Sequence, residues 1–142
     1  MLTARSGKEV VLRMPSAIGA FNTVAKAIAD KGIDLLAVST WVEGDQVVIR
    51  LLTDDTARAA DALRALHHAV REVDVVVTEM AHKPGMLRRI TDTLVEDEID
   101  IHHLYATATA MQDRCLVVLA TANNDRAIVR LNAAAKASAV QA

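Results

Sequence analysis

Lys83-Pro84-Gly85-Met86-Leu87, followed by Ile99-Asp100-Ile101, decides the fold, because the chain holds a second version of the same passage. An offset of 66 residues (19 to 85) places Gly19 on Gly85 and Ile33-Asp34 on Ile99-Asp100. The apolar set Phe21, Val24, Ile28 falls on Leu87, Ile90, Leu94, and Val10, Val11, Met14 fall on Val76, Val77, Met80. Lengthening one hairpin by two residues changes the offset to 68 (51 to 119). Leu51, Thr53, Arg58-Ala59 and Leu63 then meet Leu119, Thr121, Arg126-Ala127 and Leu131. Apolar spacing that agrees through most of a unit marks an internal duplication.

Each copy repeats one order of elements. Val10–Met14 is a short β-rich run, and Phe21, Val24, Ala25 and Ile28 then recur at helical spacing. Ser16 is placed to cap that helix and Gly32 to end it. Two strands follow, over 33–42 and 46–53, joined by a turn at Glu43-Gly44-Asp45. An alanine-rich helix covers Thr56 to His68, and Val70–Val73 supplies a last strand. The second copy runs through strand 75–80, helix 86–97, strands 99–110 and 114–121, and helix 125–135. Its last strand falls to Ala137–Val140. Glu98 stands where the first copy has Gly32, and a non-glycine residue in left-handed backbone costs about 1 kcal/mol.

The expected architecture is therefore α+β: two ferredoxin-like βαββαβ units, residues 8–73 and 74–142. Each has an antiparallel sheet with both helices on one face. Ile33-Asp34-Leu35-Leu36-Ala37-Val38 and its counterpart are apolar on both parities, so the face without helices should be covered, most simply by another subunit.

Composition narrows the function. Across 142 residues the hydrophobic fraction is 52%, yet the only aromatics are Phe21, Trp41 and Tyr105. The formal net charge is −2. Neither a basic footprint nor stacking platforms suit a nucleic-acid binder. Cys115 is the single cysteine and lies in an apolar strand, which points to a reduced, buried thiol. No stretch approaches a membrane span or a signal peptide, so a soluble cytoplasmic protein is expected.

The passage Lys83-Pro84-Gly85-Met86-Leu87 with Ile99-Asp100-Ile101, and its weaker copy Ser16-Ala17-Ile18-Gly19-Ala20-Phe21 with Ile33-Asp34-Leu35, resembles the ACT domain family. The likeness is to stand-alone proteins built from two tandem ACT domains, and it covers roughly residues 8–132. It implies a regulatory protein that binds a small ligand, an amino acid foremost, with no catalytic activity of its own. A homodimer and a regulated partner protein are implied with it. In the family's ligand-binding members an Asp or Asn commonly stands three residues before the glycine; here Ser16 and His82 occupy those places.

A physical reading of the same loops agrees on location. A strand leading into a glycine at a helix start presents backbone N–H groups and the positive end of a helix dipole, which suit a carboxylate. The candidate residues are His82, Lys83, Pro84, Gly85, Met86 and Leu87, with Ser16, Gly19, Ala20 and Phe21 as the first-copy equivalents. A tight turn that binds nothing would need the same glycines. Decayed sites in a ligand-free dimerisation module are the competing reading.

No cofactor and no metal are expected. His67-His68 and His102-His103 lack a Cys or carboxylate at ligand spacing. Asp34 and Asp100 suit turn capping, and Trp41 and Tyr105 suit an interface. Acylphosphatases share the topology but need an arginine in the first β–α loop. Pro15–Gly19 has none, and His82–Gly85 has only lysine.

Overall fold

The computed structural model describes residues 2–108 and 113–141. Ten elements follow in order: β1 (Thr3–Pro15), α1 (Ala20–Asp30), β2 (Leu35–Glu43), β3 (Gln46–Thr53), α2 (Thr56–Arg64), β4 (Val70–Ala81), α3 (Met86–Glu96), β5 (Ile101–Ala108), β6 (Arg114–Thr121) and α4 (Asn124–Gln141). The chain divides into two compact units. Lys8–Val73 forms the N-terminal unit, and Met1–Gly7 joins Asp74–Ala142 in the C-terminal unit.

In the N-terminal unit the strand order is β2-β3-β1-β4, with β1–β3 and β2–β3 antiparallel. Val10, Leu12 and Met14 of β1 and Val47, Ile49 and Leu51 of β3 face one side. Val24 and Ile28 of α1 and Ala59 and Leu63 of α2 pack against them. The C-terminal unit has the order β1-β4-β6-β5 and a core of its own. There Ile90 and Leu94 of α3 and Ala127 and Leu131 of α4 cover Val76, Met80, Val117 and Leu119. Each fully buried Val, Leu or Ile side chain among these contributes about 1.5–3 kcal/mol.

The strand registers carry the same offsets as the sequence. Val10 opposes Leu51 and Val76 opposes Leu119; Met14 opposes Val47 and Met80 opposes Cys115. Even the register shift between Leu35 and Ala37 recurs between Ile101 and His103.

The helix ends follow the same correspondence. Gly32, at φ 68°, and Glu98, at φ 55°, both lie in the left-handed region. The Ile33 N–H donates to the Ile28 carbonyl at 3.3 Å, and the Ile99 N–H to the Leu94 carbonyl at 2.9 Å. The Gly32 N–H donates to Ala29 and the Glu98 N–H to Val95. This is the double bond of a Schellman ending, with an isoleucine closing each apolar contact.

Four expectations need correction. Ala137–Val140 is not a strand but part of α4. The run from Ala133 to Ala139 is rich in alanine, the best helix former, and continues the helix. The fourth strand of the C-terminal unit comes instead from Thr3–Gly7, which is why β1 is far longer than 10–14. Leu2 and Ala4 enter that unit's core, and the Asn132 carboxamide bonds both the N–H and the C=O of Ala4 at 2.9 Å.

Ser16 does not cap α1. The N-cap is Gly19, and the Ser16 N–H donates to Asp45 O at 2.8 Å. Helix α2 stops at Arg64, short of His68, and the chain turns at His67 with φ 64°.

The face without helices needs no second subunit along the central strands. Val11, Val48 and Leu52, and likewise Val75, Val77 and Val118, are at most 3% exposed in the single chain. Glu9, at 0% exposure, lies on this face and meets Arg50 at 2.7 Å. The Arg50 guanidinium stands 5.9 Å from the Trp41 ring centroid. Leu36, Val38 and Val42 of the outer strand β2 are exposed, Val38 and Val42 on the helix side, opposite Leu51 and Val47.

Candidate ligand site at the β4–α3 turn

Strand β4 hands over to α3 through a four-residue turn. The Met86 N–H donates to Lys83 O at 3.3 Å, with Pro84 and Gly85 between them. Gly85 has φ 88° and ψ −9°, the third position of a type II turn, and proline suits the second. Nothing lies within 4 Å of a Cβ built on Gly85, so a side chain there has space but strained backbone. The N-terminal unit repeats the device: the Ala20 N–H donates to Ala17 O at 3.1 Å, Gly19 has φ 84° and ψ 5°, and Ile18 stands where Pro84 does.

The turn engages some of the donors that the sequence offers to a ligand. The Met86 and Ala20 amides close their own turns, and the His82 N–H donates to Asp113 O at 2.7 Å. For the Gly85 and Leu87 amides no backbone acceptor is found among the described residues.

Beside the turn, within the C-terminal unit, is a cavity of about 320 Å³. Its apolar walls are Met80 and Ala81 from the end of β4, Leu87 from α3, Ala106 and Ala108 from β5, and Cys115 from β6. Its polar lining is His82, Lys83, Gly85, Arg88 and Thr107. Four of the six second-copy candidates thus share one cavity: His82, Lys83, Gly85 and Leu87. Pro84 is exposed at the turn and does not line it, and Met86 is buried in the core. Ser16, Gly19, Ala20 and Phe21 form the separate turn of the N-terminal unit, where Ala20 is buried and Phe21 packs on the core.

The walls on β5 and β6 were not anticipated. They could have been found by aligning the two copies, since four apolar residues of the lining are each the smaller member of their pair. Ala106, Ala108, Cys115 and Leu87 correspond to Thr40, Val42, Val47 and Phe21. Ala106 opposes Val117 and Ala108 opposes Cys115, so both point to the helix side of the sheet.

The electrostatics of this lining are one-sided. Lys83 has no ion pair among the described residues. Arg88 Nε lies 3.3 Å from Asp92 Oδ2, both well exposed. Burial raises the Cys115 thiol above its ordinary pKa, a shift that neighbouring Arg114 only partly opposes. A thiol held neutral is a poor nucleophile. Among the described residues no group of three His, Cys, Asp or Glu side chains could hold a metal ion. His102 lies 3.8 Å from Asp100, while the His103 ring is 5.4 Å from that of Tyr105. The Asp34 and Asp100 carbonyls accept from Asp54 and Ala122 in matching turns. No described helix is long and apolar enough to cross a membrane.

No protein-family model matches the sequence, and no curated protein matches it. Solved structures do. Protein BT0572 from Bacteroides thetaiotaomicron is similar at TM-score 0.83 and 26% identity, over 91% of this chain and 88% of that one. The regulatory subunit of aspartate kinase from Thermus thermophilus is similar at TM-score 0.63 and 15% identity, covering 94% and 95%. A putative C-terminal regulatory domain of aspartate kinase from Porphyromonas gingivalis W83 matches at TM-score 0.60 and 16% identity, over 92% and 93%. The fold of this chain is thus the ACT-like α+β fold of aspartate-kinase regulatory subunits.

Proposed function

We propose that this chain is a ligand-sensing regulatory protein whose C-terminal unit binds a small carboxylate metabolite, an amino acid or a close relative, beside the β4–α3 turn. The observation that carries this is the cavity itself. It joins aliphatic walls to His82, Lys83, Gly85 and Arg88, the composition of a small-molecule site. The resemblance of the turn sequence to ACT domains and the likeness to regulatory subunits of aspartate kinase support the same role. The chain has no catalytic function in this reading. It acts by population shift: bound ligand favours one arrangement, and a partner protein reads it.

The test is a thermal-shift screen of the purified protein against the twenty amino acids and their carboxylate relatives at millimolar concentration. Ligand at about 100 times its dissociation constant stabilises the fold by about 2.7 kcal/mol. Gly85→Leu should remove that shift. If no compound in the screen moves the melting temperature, the sensing role is lost.

A second reading, an assembly module without ligand, is favoured by Leu36, Val38 and Val42 exposed along the outer strand β2. An edge strand of this kind invites pairing with another copy. In that case the protein sediments as a homodimer and Val38→Lys makes it monomeric.

A further inference from the structure

We propose that the cavity of the C-terminal unit takes a short-chain carboxylate without an ammonium group, of the 2-oxo acid class, in preference to the corresponding amino acid. This rests on the reading of that cavity as the ligand site. An amino acid brings a carboxylate and an ammonium on adjacent atoms, so its site must offer donors on one side and an acceptor, normally an acid, on the other. Here the donors are present and the acid is not. Lys83, His82 and Arg88 line the cavity together with Gly85 and Leu87, and no residue of the described lining is acidic.

The neighbouring acids are accounted for elsewhere. Asp92 is paired with Arg88 and does not line the cavity, and the Asp113 main-chain carbonyl accepts from the His82 N–H, Asp113 itself being outside the described lining. Between Ala108 and Asp113 the sequence Thr109-Ala110-Met111-Gln112 holds no acid. Thr107 is the one residue of the described lining with a side-chain oxygen, and the alternation that turns Ala106 and Ala108 to the helix side turns its hydroxyl to the opposite face.

An ammonium entering this cavity would leave its water shell beside the Lys83 ammonium and the Arg88 guanidinium, with no carboxylate to meet it in the described lining. A 2-oxo group reverses the balance. It replaces three donors by an acceptor next to the carboxylate and so matches the surplus of N–H groups around Lys83 and the turn. The aliphatic walls at Met80, Ala106 and Ala108 suit a short hydrocarbon chain, and a volume of about 320 Å³ is small for a ligand site.

Calorimetric titration of the full chain with matched pairs tests this: leucine against 4-methyl-2-oxopentanoate, and alanine against pyruvate. The 2-oxo acid of at least one pair should bind at least about tenfold more tightly than its amino acid, as for loss of a hydrogen bond to a charged group. Lys83→Gln, at an exposed position, should weaken 2-oxo acid binding while leaving the melting temperature of the free protein unchanged. Ala106→Phe, which inserts a strand-favouring ring into the cavity wall, should abolish binding. An amino acid that binds as tightly as its 2-oxo partner, and is lost in Ala106→Phe, overturns the preference and leaves the site standing. Binding of no compound, or binding that survives Ala106→Phe in a folded variant, overturns the site and the preference with it.

Discussion

Replacing Asn132 with alanine tests whether the first residues of the chain complete the C-terminal sheet. The Asn132 carboxamide accepts from the Ala4 N–H and donates to the Ala4 carbonyl, both at 2.9 Å. Each such bond contributes about 0.5–1.5 kcal/mol net, so the pair is worth about 1–3 kcal/mol. Asn132 lies inside α4, where alanine is the better helix former by roughly 0.6 kcal/mol. The two effects oppose each other, and the hydrogen bonds win. Asn132→Ala should destabilise the protein by about 1–2 kcal/mol and lower its melting temperature by roughly 3–8 °C. Thermal and urea denaturation give the magnitude. Hydrogen exchange gives the location, since the amides of Thr3–Gly7 should lose protection ahead of the other strands. Were the N-terminal segment not docked on α4, only the helix preference would act and the variant would be more stable. A raised or unchanged melting temperature, with protection in Thr3–Gly7 unaltered, refutes the docking.

The two Schellman endings supply a reciprocal experiment: Glu98→Gly should stabilise by about 1 kcal/mol and Gly32→Glu destabilise by a similar amount, read in urea titrations. Glu9 is fully buried against Arg50, so Glu9→Ala should cost on the order of 3 kcal/mol, and the double replacement Glu9→Leu with Arg50→Met should recover most of it. For Cys115 the upward shift caused by burial predicts slow alkylation by iodoacetamide at neutral pH, with a rate still climbing where a free cysteine peptide levels off. Its folded pKa exceeds the unfolded one. The thiol's contribution to stability is therefore complete below the unfolded value and lost as pH rises through the folded value. A Cys115 that reacts like a free thiol at neutral pH would contradict the burial.

Element type and order were legible because the apolar periodicity was written twice. Val24 and Ile28, or Ile90 and Leu94, can face a core only as helices, and the alternation in 46–53 only as a strand. The C-terminal strand was misread for a reason of the same kind. A duplicated βαββαβ unit calls for a last strand after α4, and Ala137–Val140 is the apolar stretch that follows. The residues that fill the place, Thr3–Gly7, precede the first copy and lie at the offset of 66 from 69–73, the stretch that closes the N-terminal unit. Their link to α4 runs through Asn132, a polar residue within a helical pattern that gives no sign of pairing with residue 4. Half of the cavity was hidden likewise. The turn is a local motif, but Ala106, Ala108 and Cys115 reach it only through the pairing of β5, β6 and β4.

The two turns also separate what the backbone requires from what a ligand would require. Gly19 and Gly85 adopt nearly the same left-handed conformation, and Ala20 and Met86 donate to the same position three residues back. That geometry alone accounts for a glycine before each helix, and for a proline ahead of Gly85. The Pro-Gly step is a signature of the turn, and it would be present with or without a bound molecule. A ligand depends instead on the surfaces around the turn, and there the copies differ. Phe21, Thr40, Val42 and Val47 give way to Leu87, Ala106, Ala108 and Cys115, each change removing bulk on the side facing the helices. Ser16 and Ala17 give way to His82 and Lys83, adding donors at the mouth of the space so opened. Room and charge enter the same copy at the same turn, and that coincidence, more than the glycine, is what favours the C-terminal unit for the proposed ligand.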